Sequence, residues 1–76
     1  MSAPETEPAT VRVFVNERGV DVPRGATALD ALRIADEGEA ARVAAGERTL
    51  VDSRGLPTAA DAPTFAGAIY RTITAR

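Results

Sequence analysis

Seventy-six residues with eleven acidic and nine basic side chains, a formal charge of −2, describe one small domain. A domain of that size buries only about 60% of its unfolded surface. The chain has no Cys and no His, which excludes disulfides, thiolate metal sites, a thiol nucleophile and the usual general base. All nine basic residues are Arg. They are scattered rather than gathered on one element, so neither nucleic acid nor an anionic membrane is an expected partner.

The first nine residues, MSAPETEPA, carry Pro4, Pro8, Glu5 and Glu7 and little that burial could reward, so 1–9 reads as a disordered tail ahead of a domain over 10–76. The tail lacks the basic and apolar regions of a secretory leader, and nowhere do eighteen apolar residues run together. The expected location is the cytoplasm.

From Val11 the pattern has period two, with Val11, Val13 and Val15 on one face and Arg12, Phe14 and Asn16 on the other. This is a first strand. Asn16-Glu17-Arg18-Gly19 supplies a turn in which Gly19 is free to take positive φ, and Val20-Asp21-Val22 returns as an antiparallel partner. Pro23-Arg24-Gly25 ends that strand. Thr27 then fits an N-cap, with Asp30 completing a short capping box, so a helix is expected from Ala28.

Ala28, Leu29, Ala31, Leu32 and Ala35 form a narrow apolar stripe suited to the Val face of the hairpin. Asp36-Glu37-Gly38 is expected to stop the helix, with Gly38 as a left-handed cap and carboxylates opposing the dipole. These acids read as a solvated charge group at a helix end, their spacing being unlike that of a calcium loop. EAARVAA, residues 39–45, reads as two helical turns closed by Gly46 or as a strand centred on Val43, and Ala and Arg favour the helix.

A strand follows at Thr49-Leu50-Val51-Asp52. Ser53-Arg54-Gly55 turns into Leu56-Pro57-Thr58, the return arm of a second, shorter hairpin. An Ala-, Pro- and Gly-containing connection leads to a final β-prone strand, Ile69 to Thr74. The order implies an α+β two-layer β-grasp, β-β-α-β-β, with a mixed sheet on one main helix and the last strand parallel to the first.

The stretch VFVNERGVDVPRGATALDAL resembles the opening of the sulfur-carrier branch of ubiquitin-like proteins, those serving thiamin and molybdopterin synthesis, and the resemblance extends over most of Val11 to Thr74. Such proteins end in Gly-Gly, and their terminal carboxylate is adenylated and then thiocarboxylated. Here the corresponding end is Thr72-Ile73-Thr74-Ala75-Arg76, so Ala75 and Arg76 inherit no role from the motif. The resemblance implies, as an alternative function, a carrier activated at the carboxylate of Arg76 by an adenylating enzyme.

The main expectation is a non-catalytic protein-interaction module, without cofactor or metal, monomeric or weakly dimeric, presenting its open sheet face or an edge strand to a protein partner. Phe14 stands on the open face, with Arg12 beside it. Tyr70 and Thr72 join that face if Ile69 and Ile73 point inward, an arrangement that also turns Arg71 inward. Ser53, Arg54 and Gly55 combine a hydroxyl, a guanidinium and a Gly in a turn that reads either as an anion site or as side chains bonding their own backbone. A small-ligand pocket is not expected from so Ala-rich a chain.

Overall fold

The computed structural model describes residues 9–75; all of the expected tail except Ala9, and Arg76 as well, lie outside the described residues. The elements run β1 (Thr10–Val15), β2 (Arg18–Pro23), α1 (Ala28–Ala35), α2 (Glu37–Ala44), β3 (Arg48–Asp52) and β4 (Ile69–Thr74). The four strands form one mixed sheet in the order β2-β1-β4-β3. β1 and β4 are parallel, with Phe14 opposite Ile69 and Val15 opposite Tyr70, while both outer pairs are antiparallel. This is a β-grasp topology: the first and last strands are central, and everything between them serves as their crossover.

The hairpin differs from the sequence reading in one respect. Asn16 and Glu17 take positive φ, 48° and 72°, and Val15 pairs with Arg18. A two-residue turn with both residues left-handed matches the twist of the strands it joins. Gly19 is therefore not the turn glycine. It lies within β2 opposite Phe14, where a Cβ would meet the Phe14 ring at 3.2 Å and an Arg12 guanidinium nitrogen at 2.8 Å.

α1 begins as its cap dictates. Thr27 Oγ1 accepts from Asp30 N at 3.1 Å, and Thr27 N donates to Asp30 Oδ2 at 3.1 Å. The next orphan donors, Ala28 N and Leu29 N, donate to the carbonyls of Ala62 and Ala60, so the long β3–β4 connection is pinned to the helix start. At the other end Arg18 Nη1 donates to the carbonyl of Ala35 at 2.8 Å.

α1 is followed by a second helix of equal length, the alternative that Ala and Arg favour over 39–45, and it begins two residues earlier than that stretch because Asp36 stops α1 and starts α2 at once. Its backbone is extended, at φ −161° and ψ 95°, and its carboxylate accepts from Glu39 N at 3.1 Å. Gly38 accordingly sits inside α2 rather than capping α1. Asp36, Glu37 and Glu39 occupy the start of α2, where the dipole favours them. α2 ends as expected at Gly46, φ 83°, with Gly46 N donating to Val43 O and Glu47 N to Arg42 O. That bond pair is the Schellman arrangement.

The core lies between the sheet and the two helices. Val13, Val15, Val22, Leu50, Ala68 and Tyr70 pack against Ala28, Ala31, Leu32, Ala35 and Ala40. The second hairpin is reduced to a single bridging pair, Val51 opposite Pro57, with Asp52 N donating to Leu56 O and Thr58 N to Leu50 O. The longer partner of β3 is β4, paired from Arg48 opposite Thr74 to Asp52 opposite Tyr70.

Candidate protein-docking face

The face of the sheet turned away from the helices is fixed by the parity of each strand. In β1 the Val residues face the core, which leaves Arg12 and Phe14 on the open side. Parallel pairing of Val15 with Tyr70 then carries Tyr70 inward, and it is 4% exposed. Ile69, Arg71 and Ile73 point outward. The expectation that Tyr70 joins Phe14 is therefore corrected: Ile69 and Ile73, 42% and 48% exposed, join it instead.

The physical reason is charge. Tyr70 shares its side of β4 with Thr72 and Thr74, which can be bonded, whereas the two Ile residues share theirs with Arg71, whose guanidinium needs solvent or an acid. Burial also pushes the Tyr70 hydroxyl pKa above its ordinary value.

Thr72 is likewise turned away from the open face and is committed to a network. Its hydroxyl donates to Glu39 Oε2 at 2.6 Å and accepts from Asn16 Nδ2 at 3.1 Å, while Thr72 N donates to Asn16 Oδ1 at 3.0 Å. Glu39 also meets Arg42 at 3.0 Å and Arg48 at 3.5 Å. The Thr72 hydroxyl, followed by the two guanidiniums, holds the Glu39 carboxyl below its ordinary range against the opposing effect of burial. This network ties the β1–β2 turn, β4, β3 and α2 together, and the sequence reading missed it.

The open face thus presents Phe14, Ile69 and Ile73 with Arg12 and Arg71. Arg12 pairs with Asp21 on the neighbouring strand, Nε to Oδ1 at 3.3 Å. Phe14, 38% exposed, lies over Gly19, so the absence of a side chain there gives the ring and the Arg12 guanidinium their seats. Phe65, 65% exposed, extends the apolar surface toward a cleft of about 400 Å³ beside the start of β4. Asp52, Ser53 and Arg54 line one part of that cleft, and Pro63, Phe65, Ile69 and Tyr70 another. A concavity of this size was not expected from composition. It forms because the 59–68 connection is held to α1 by backbone hydrogen bonds, which need no large side chains.

The Ser53-Arg54-Gly55 turn takes the self-bonded form. Asp52 Oδ1 accepts from Arg54 N at 2.8 Å and Leu56 N at 3.0 Å, and Arg54 Nη2 pairs with Asp52 Oδ2 at 3.3 Å. Gly55, at φ 82°, provides the left-handed step. The Leu56 and Arg54 donors lower the Asp52 pKa, and Arg54 is thereby engaged within its own loop.

Both sheet edges are guarded. Phe14 N and Asn16 N donate toward the β4 side, to Ala68 O and Tyr70 O, so alternation directs the amides of Val11, Val13 and Val15 toward β2. The groups left outward on β2 belong to Gly19, Asp21 and Pro23. Asp21 is charged and Pro23 has no N–H, two devices that discourage strand addition. On the far edge the Leu56–Thr58 segment covers part of β3.

Among the described residues no group of three or more carboxylates is placed to hold a metal, and no helix is long and apolar enough to cross a membrane. Comparison with known proteins yields no match, whether with a family model, a curated protein or a solved structure.

Proposed function

We propose that the chain is a non-catalytic protein-interaction module that docks a protein partner on its open sheet face. The observation that carries this reading is the grouping of Phe14, Ile69 and Ile73, exposed on one face of two neighbouring central strands, with the exposed Phe65 sharing a cleft with Ile69. Single exposed apolar side chains are ordinary, but several gathered on one sheet face and interspersed with charges are the form of a docking surface. The face is preferred over strand addition because Asp21, Pro23 and the Leu56–Thr58 segment guard the edges.

The carrier alternative takes no support from the described residues at the end of the sheet. β4 remains paired through Thr74, and Ala75 N donates to Glu47 O, whereas a carrier tail must leave the sheet to reach an activating enzyme. Ser53 as a nucleophile lacks the usual activating partner, because the sequence supplies no His or Lys to serve as its base.

Phe14→Ala tests the docking reading. It is expected to weaken partner binding by roughly tenfold or more, since truncating a central aromatic costs on the order of 2 kcal/mol, while leaving the amide spectrum of the core unchanged. Undiminished binding by the folded variant contradicts it.

A further inference from the structure

We infer that the partner segment docked on the open face is acidic as well as apolar, with a carboxylate seated on Arg71. This rests on the docking reading above and specifies its partner. Arg71 lies in the middle of the exposed stretch of β4, flanked on the same face by Ile69 and Ile73. Among the described residues it has neither an ion pair nor a hydrogen bond through its side chain.

The contrast with other described arginines is what gives that position meaning. Arg12 on the same face is neutralised by Asp21; Arg33, Arg42, Arg48 and Arg54 each meet a carboxylate, and Arg18 is engaged by the Ala35 carbonyl. Glu17 lines the same shallow hollow as Arg71, yet no ion pair joins them. In a chain with a formal charge of −2, the open face therefore holds a positive charge that no ion pair engages, with Glu17 the nearby acid that tempers it.

Such a surface complements a segment that alternates apolar and acidic side chains. Side chains on one face of a strand repeat every ~6.6 Å. A partner lying along β4 in extended form can thus place an apolar group beside Ile69 and a carboxylate two residues on at Arg71. An Arg guanidinium receives a carboxylate through two parallel N–H donors, which orients as well as attracts. A second copy of this chain is a poorer occupant, since the same face of that copy offers Arg71 another arginine and the already paired Asp21 rather than a row of free carboxylates.

The test uses two capped peptides as probes, one alternating Leu and Glu and one alternating Leu and Lys, titrated into the full chain while backbone amide shifts are followed. The Glu peptide is expected to perturb Phe14, Ile69, Arg71 and Ile73 and to bind about tenfold tighter than the Lys peptide, the effect of one charge-assisted contact. Arg71→Gln should remove that preference, Arg71→Lys should retain its sign, and Glu17→Gln should enlarge it. Equal binding of both peptides at the face overturns the acidic preference and leaves the docking reading standing. No perturbation of the face by either peptide overturns both. Concentration-dependent shifts of the same amides without peptide identify a second copy as the occupant and overturn the inference.

Discussion

Thr72 shows how much a single hydroxyl can hold in a domain with a small core. It joins Asn16 and Glu39, residues 56 and 33 positions away, while Asn16 itself sits at φ 48°. Thr72→Val keeps the shape and removes both hydroxyl contacts. It is expected to cost ~1–2 kcal/mol, read as a fall of roughly 4–16 °C in Tm. Asn16→Gly retains the backbone conformation and loses only the side-chain bonds, so it should cost less than Asn16→Ala, which adds left-handed strain.

Glu39, Asp30 and Asp52 share a pH signature. The Thr72 hydroxyl is the leading cause for Glu39, Thr27 N for Asp30 and Leu56 N for Asp52; each stabilises the charged form and lowers the folded-state pKa. The contribution of such groups is complete above the unfolded pKa values, about 4, and disappears as pH falls through the lower folded values. Thermal unfolding should therefore be nearly level from pH 7 to about 5 and decline more acidic than that. Glu39→Gln should show a shallower decline; an unchanged slope would remove Glu39 from the account.

At the scale of elements, the legible parts of the sequence were those governed by local rules. Val11, Val13 and Val15 alternate because one face is buried, Thr27 and Asp30 announce a helix start, and Gly46 closes α2. What was not legible depended on partners far along the chain. Asp36 reads as a helix stop, but its second role as the N-cap of α2 depends on an extended backbone that composition does not encode.

β4 is the clearest case. Period two alone leaves either face of this strand free to point inward, and counting two Ile residues against one Tyr favours the isoleucines. The pairing of Val15 with Tyr70 reverses that parity, and the sequence signal was Arg71, which shares the isoleucine side. Tyr70→Ala is accordingly expected to cost ~3–5 kcal/mol, whereas Ile69→Ala and Ile73→Ala should each cost well under half as much. Chemical denaturation of the three variants checks the facing directly, and the opposite ranking would reverse it.

For the whole molecule, the β-grasp order places the open face where two central strands meet, so its apolar side chains come from opposite ends of the domain sequence. Phe14 and Ile69 are neighbours only because β1 and β4 are parallel. The fold was legible from the succession of elements, but the make-up of the open face was only half legible: Phe14 and Arg12 could be placed on it from the alternation of β1, while Ile69, Ile73, Phe65 and the adjoining cleft emerged from the long connection and the register. Gly19 links the local and global levels, since any side chain there crowds the Phe14 ring and the Arg12 guanidinium. The most direct test of the account is site-specific photo-crosslinking in the native host, with the reactive group placed at Phe14, at Ile73 and, as a control on α1, at Arg33. A shared protein adduct at Phe14 and Ile73 but not at Arg33 is the predicted result; adducts at Arg33 alone, or none on the sheet face, would contradict it.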